Sequence, residues 1–220
     1  MRFLLSCLIL LITLPVIAQE EEGPWAVGPH FAFSIPSSDF ANVSGTGEGL
    51  GGKLLYRLPS NPAIAARADL TYLSYGEKRQ DQYLGGDPYP YLVTTRNESF
   101  QLTIGGNFTK QFGRWSFYLA PMGGLYIYRT VVSVPELYYY YNIPASETTE
   151  SYTKLGYNIN AGFMVDINLG PHLDFSVKYQ RIPGALETTV ETDGGGQEFT
   201  IESDAEDFVV SLGVVFFLKQ

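Results

Sequence analysis

The stretch Leu155-Gly156-Tyr157-Asn158-Ile159-Asn160-Ala161-Gly162-Phe163-Met164-Val165-Asp166-Ile167 decides how the rest of the chain is read. Leu155, Tyr157, Ile159, Ala161, Phe163, Val165 and Ile167 alternate with Gly156, Asn158, Asn160, Gly162, Met164 and Asp166. A period of two marks a β-strand, because successive side chains point to opposite faces. One face is continuously apolar. The other is small or polar, without the Lys and Glu that a water-facing strand selects.

The same pattern recurs on both sides of this segment. Upstream, the first strand sets Trp25, Val27, Phe31, Phe33 and Ile35 against Ala26, Gly28, His30, Ala32 and Ser34. The second sets Leu50, Gly52, Leu54, Tyr56 and Leu58 against Gly49, Gly51, Lys53, Leu55 and Arg57. Ile64, Ala66, Ala68, Leu70 and Tyr72 alternate with Ala65, Arg67, Asp69 and Thr71. Phe100, Leu102, Ile104 and Phe108 alternate with Gln101, Thr103, Gly105, Asn107 and Thr109. The fifth strand sets Phe117, Leu119, Leu125 and Ile127 against Tyr118, Ala120, Met122, Gly124, Tyr126 and Tyr128. Downstream, Leu173, Phe175, Val177 and Tyr179 oppose Asp174, Ser176, Lys178 and Gln180. The last strand sets Phe208, Val210, Leu212, Val214, Phe216 and Leu218 against Asp207, Val209, Ser211, Gly213, Val215 and Phe217.

Eight segments of roughly ten residues each have the length of a tilted strand that crosses a bilayer. A soluble barrel also alternates, but it turns its apolar set inward and needs a charged outer set. Here the second set is Gly, Ala, Ser, Thr, Asn and Gln, which suits a narrow interior, so the apolar set faces lipid. Composition agrees: 17 % of residues are charged and 15 % aromatic, with 16 Tyr and 23 Gly, whereas about a quarter of a soluble domain is charged. The expected fold is all-β, an eight-stranded antiparallel up-and-down transmembrane barrel.

Link lengths alternate. Pro59 to Pro62, Lys110 to Arg114 and Asn168 to His172 are tight, while Pro36 to Thr46, Gly76 to Arg96, Thr130 to Ser151 and Pro183 to Ala205 are long. Short turns at one end and long loops at the other are barrel anatomy, with the turns in the periplasm and four loops outside.

The first residues read as an export signal: Arg2, the apolar run Phe3 to Leu14, Pro15, then Val16-Ile17-Ala18 before Gln19. Residues 1–18 are the signal peptide and 19–220 a single barrel domain. The apolar run is too short for a membrane-spanning helix, which needs about 20 residues. Cys7 is the one cysteine and falls within the signal, before the apolar run is complete, so it is not a lipoprotein cysteine. The mature chain then has no thiol chemistry. Its charge, −9 for the whole chain and one unit more negative without Arg2, excludes a nucleic-acid partner by repulsion from phosphate.

The interior of an eight-stranded barrel is just filled by side chains. The inward set places Lys53, Arg57, Arg67 and Lys178 with Asp69, Asp166 and Asp174, and opposite charges confined there must pair. The expected result is an ion-pair network that plugs the lumen; the rival reading is a narrow porin-like channel whose charges swing aside. Catalysis has little to work with. His30 and His172 are the two histidines, and Ser34 stands four residues from His30, too far along an extended strand for a direct hydrogen bond. No lipid-modifying enzyme motif surrounds them, and two His without Cys make no dedicated metal site. No cofactor is expected.

The long links carry the remaining signals. The last holds Glu187, Glu191, Asp193, Glu198, Glu202, Asp204, Glu206 and Asp207 around Asp193-Gly194-Gly195-Gly196, without calcium-loop spacing. Tyr138 to Tyr141 form a run, and Tyr83, Tyr89 and Tyr91 surround Pro88 and Pro90; both groups suit either an extracellular ligand or an interfacial girdle. Asn42, Asn97 and Asn107 stand in N-x-S/T triplets, which a bacterial export route leaves unmodified.

Ser211-Leu212-Gly213-Val214-Val215-Phe216-Phe217-Leu218 resembles the C-terminal signal that bacterial barrels present to their assembly machinery, through Ser211, Gly213, Phe216 and Leu218. With that terminus and the eight strands, the chain resembles the small OmpA/OmpX-like outer-membrane barrels. The resemblance implies a bacterial outer-membrane location, contact with outer-membrane lipid and lipopolysaccharide, and a structural or interaction role in displaying loops.

Overall fold

The computed structural model describes residues 23–82, 91–134, 146–168, 170–191 and 198–218. Its elements are β1 (Trp25–Ser37), α1 (Phe40–Val43), β2 (Gly47–Leu58), β3 (Asn61–Tyr75), β4 (Lys78–Gln82), β5 (Tyr91–Phe112), β6 (Trp115–Val134), β7 (Ser146–Asp166), β8 (His172–Glu191) and β9 (Glu198–Phe217). Each strand pairs antiparallel with its neighbours, and β1 pairs with β9, so the sheet closes. Both β3 and β4 pair with β5. They are one stave interrupted at Gly76 and Glu77, and the barrel has eight staves.

Register fixes the shape. Passing from Ala26 to Leu55, Arg67, Gly105, Met122, Asn158, Gln180 and Asp207, each a cross-strand partner of the last, returns to β1 at Pro36, ten residues beyond the start. With eight staves, a stagger of ten tilts the strands by about 40° and spaces opposite backbones by about 16 Å. That bore is filled by side chains.

The alternation falls as the sequence dictates. Along β1, even-numbered residues from Ala26 to Ser34 are buried and odd-numbered residues face outward. Phe33, Leu102, Ile104, Phe117, Leu119, Leu155, Leu173 and Leu212 are among the large apolar side chains on the outside. On β9 this belt runs from Phe208 to Leu218, about 25 Å at that rise and tilt, the height of a bilayer's apolar band. Near the short turns the outer face carries a continuous aromatic chain: Phe112 against Phe117, then Phe163, which also meets Trp115 and Phe175.

Glycine and tyrosine are abundant for one shared reason. Tyr118 stands across from Gly162, and Tyr75 across from Gly47. A Cβ on Gly162 would meet the Tyr118 hydroxyl at 2.6 Å, and one on Gly47 would meet the Tyr75 ring at 2.9 Å. Each ring lies over the bare backbone of its partner, which is how large inward side chains fit so narrow a bore.

Three of the four long links differ from the expectation of loops. Half of Thr130 to Ser151 and most of Pro183 to Ala205 is strand, and Gly76 to Arg96 holds β4 and the start of β5. Past the apolar belt the sequence no longer alternates strictly between apolar and polar residues. The ladder continues on Thr- and Val-rich sequence such as Thr94-Thr95, Val131-Val132 and Thr188-Thr189-Val190, whose β-branched side chains favour extended backbone. The fourth link, Pro36 to Thr46, turns inward instead of outward. It forms the one-turn α1, whose Phe40 is buried edge-on against Tyr75 at 5.1 Å and Tyr128 at 5.7 Å. The signal segment 1–18, the run Tyr138 to Tyr141, Tyr83, Tyr89 and the Asp193 to Gly196 tip lie outside the described residues.

Leu212 is outward, at mid-height of the belt. Leu212→Arg is expected to destabilise the folded barrel in lipid by about 2–4 kcal/mol, measured by urea titration in vesicles. Unchanged stability there means that this face does not meet lipid.

Candidate functional site

The lumen is built in layers. Nearest the short turns, β2 contributes Lys53, β3 contributes Arg67 and Asp69, β6 contributes Tyr118 and β8 contributes Asp174, all on inward positions. Lys53 reaches across to Asp174 at 2.5 Å, and the Tyr118 hydroxyl donates to the same carboxylate at 2.9 Å. The Arg67 fork holds Asp69 through Nε at 2.8 Å and Nη2 at 2.7 Å, with Nη1 3.4 Å from the Asn107 carbonyl. Lys53 and Asp69 are cross-strand neighbours. The Tyr118 ring lies 5.5 Å from Lys53 Nζ and 5.3 Å from the Arg67 guanidinium. Two cations and two anions thus pack around one aromatic ring.

Further toward the hairpin end, Lys178 donates to the Gln101 carbonyl at 2.8 Å. Asp207 accepts from Ser34 and, at 3.0 Å, from Tyr75. Asp207 is fully buried, so it belongs to the interior and not to the acidic outer link. Its place on the inward parity of the last strand was the available signal, overridden by the run of acids before it. With it, the buried charged side chains of the layers are Lys53, Arg67 and Lys178 against Asp69, Asp174 and Asp207. That set is electrically balanced, as a low-dielectric interior requires.

Arg57 and Asp166 stand apart from these layers. Arg57 donates to the Gly23 carbonyl at 2.8 Å and covers the Phe217 ring at 4.1 Å. Asp166 accepts from the Asn168 amide at 2.7 Å. Both are at strand ends beside the short turns: their parity is inward, but no depth of lumen remains there.

His30 is buried, its imidazole above Gly51 with Nδ1 unpartnered. Ser34 gives its hydroxyl proton to Asp207, so the two do not form a nucleophile–base pair. His172 stacks edge-on against Phe217 at 5.0 Å near the short turns. Among the described residues no group of three His, Cys, Asp or Glu could hold a metal ion.

Phe40 roofs the lumen. Its link is tied to the wall by a relay in which Asn97 donates to Ser44 Oγ at 2.8 Å and accepts from Thr130 Oγ1 at 2.8 Å. Beyond the roof, the β8–β9 ladder pairs Glu187 with Glu202 and Glu191 with Glu198 in register. At its base Arg181 bonds Asp204 at 2.5 Å. This bond from Arg181, aided by the Gly184 amide, holds the Asp204 carboxyl below the usual range. Of the residues expected to form an assembly signal, Ser211 and Gly213 face inward while Phe216 and Leu218 face out.

Lys53→Met leaves Asp174 buried without its cation and is expected to cost about 3–5 kcal/mol. Adding Asp174→Leu in the same chain should recover most of that loss in vesicle unfolding titrations. Additive losses would mean that the two charges do not act as a pair.

Residues 4–216 match the family model for the outer membrane protein beta-barrel domain. Comparison with curated protein sequences gives no significant match. Among solved structures, a major outer membrane protein from Thermus thermophilus is 12 % identical, over 87 % of this chain and 99 % of that one, with TM-score 0.51. Neisserial surface protein A is 15 % identical, over 90 % and 100 %, with TM-score 0.49. Ail of Yersinia pestis is 14 % identical, over 89 % and 100 %, with TM-score 0.48. At these identities the likeness concerns the fold alone, and the Thermus barrel carries it.

Proposed function

Since the chain belongs to the outer membrane protein beta-barrel domain family and so resides in the bacterial outer membrane, we propose that it is a closed, non-catalytic scaffold that presents its hairpin end to extracellular partners. The carrying observation is the Phe40 roof over a charge-balanced lumen. A conducting pore needs a continuous wet path. Here an aromatic side chain with 1 % exposure covers one end; below it lie Lys178 and Asp207 hydrogen-bonded to Gln101, Ser34 and Tyr75, and then the ion pairs Lys53–Asp174 and Arg67–Asp69.

Recognition falls in this reading to the hairpin end. The staves β5, β6, β7, β8 and β9 continue past the apolar belt, and the links 135–145 and 192–197 join β6 to β7 and β8 to β9. By the geometry of barrels with short periplasmic turns this end faces the exterior. Tyr-rich and acidic sequence at those tips offers contact area and charge for recognition. Residues 1–18 serve as the export signal in this reading. Ser211, Gly213, Phe216 and Leu218 present the terminal strand to the assembly machinery.

The proposal against catalysis rests on the Ser34–Asp207 bond, which takes the hydroxyl away from His30, and on the burial of both groups beneath the roof.

Two measurements check this function. Protease added to intact cells should cut within 135–145 and 192–197 and leave the staves intact, and purified protein in planar bilayers should give no discrete conductance steps. Protection of both tips on intact cells contradicts surface display. Reproducible unitary steps contradict the closed lumen.

A further inference from the structure

Three outward arginines toward the hairpin end, Arg96, Arg129 and Arg181, stand in two different environments. Arg181 is tightly paired: its guanidinium holds Asp204 at 2.5 and 2.7 Å and Glu206 at 3.4 Å. On the β5–β6 wall, Arg96 and Arg129 share the single carboxylate of Glu98, at 3.3 and 4.0 Å. Those contacts are looser than the roughly 2.7–2.9 Å of a formed charge-assisted bond. About half of each side chain is exposed, 46 % for Arg96 and 51 % for Arg129. Among the described residues this wall therefore carries surplus positive charge, whereas the β8–β9 wall carries surplus negative charge.

Height places the pair at the membrane surface. Glu98 stands two residues beyond Phe100, and Arg129 two beyond Ile127; Phe100 and Ile127 are outward members of the apolar belt on β5 and β6. The guanidinium groups thus sit where hydrocarbon gives way to headgroups. Beside Arg96, the break between β3 and β4 leaves a notch of about 250 Å³, with Phe33 and Tyr75 among its lining and Glu48 and Glu77 also lining it. Register sets Arg79 opposite Thr94, two residues beyond Arg96 along β5.

We propose that Arg96 and Arg129 form a binding site for the phosphate headgroup of an outer-leaflet lipid, which in a bacterial outer membrane is lipopolysaccharide. A planar guanidinium binds phosphate through two parallel N–H donors. Each arginine has donor capacity beyond one shared carboxylate. The low-dielectric belt just below strengthens the attraction. Glu48 and Glu77 direct the anion toward the β5–β6 side of the notch. The site rests on the orientation proposed above, with the hairpin end outward; binding in nanodiscs, where both leaflets carry the lipid, does not depend on orientation, so the two readings fail separately.

The test uses the folded protein in phosphatidylcholine nanodiscs doped with lipid A or with dephosphorylated lipid A, and native mass spectrometry to read bound lipid. The wild-type chain should retain lipid A and not the dephosphorylated form. R96Q/R129Q should lower retention on the order of thirtyfold, two interfacial charges' worth, while R181Q leaves it unchanged. E98Q, which removes the shared competitor, should raise retention; it serves as the independent arm if the double variant does not fold. Equal retention of the two lipids, an equal loss in R181Q, no rise in E98Q, or complete displacement of lipid by millimolar inorganic phosphate would each overturn the proposal.

Discussion

Everything in this molecule depends on a backbone ladder without a free edge. Within hydrocarbon an amide or carbonyl that lacks a partner costs several kcal/mol, so a sheet can cross a bilayer only when its first and last strands pair. Here β1 pairs with β2 on one side and with β9 on the other, from Ala26 opposite Phe217 to Ser37 opposite Glu206. Closure at a stagger of ten sets the tilt, and the tilt sets the bore. The bore then decides which side chains fit inside.

The interior follows from that bore. Rings are admitted where a glycine lies across from them, as with Tyr118 and Gly162, and charges where a partner reaches from another wall, as Lys53 reaches Asp174. Phe40 completes the section from a link whose polar sequence reads as a solvent-exposed loop. The same burial that makes the pairs costly to break also covers His30 and Ser34. In the proposed reading, a closed interior moves the protein's specificity outward, to the hairpins and to the arginines where the belt ends.

The barrel was legible because the bilayer imposes a period of two on every stave, and Leu155 to Ile167 shows it without interruption. The inward identities of Lys53, Arg67, Asp69, Asp174 and Lys178 were equally legible, since parity alone assigns them. Partnership was not. That Arg67 bonds Asp69 two residues along its own strand, and that Lys53 crosses to β8, depends on register and rotamer, which alternation does not encode. Arg57 and Asp166 share the inward parity but sit at strand ends, where parity no longer implies depth. The hairpin extensions were hidden because their sequence does not keep the apolar–polar period of the belt. Phe40 was hidden because a single aromatic within a polar link has no periodic context. Asp207 was obscured by the acids around it, and the loose sharing of Glu98 by two arginines is a matter of distance alone.

Amide hydrogen exchange on the protein in lipid vesicles tests closure most directly. The β1–β9 seam, residues 26–37 against 206–217, should exchange as slowly within the belt as the β5–β6 pair does. A seam that exchanges orders of magnitude faster than β5–β6 would mean an open sheet edge in the membrane, and would contradict the closed barrel on which the filled lumen and the outward function depend.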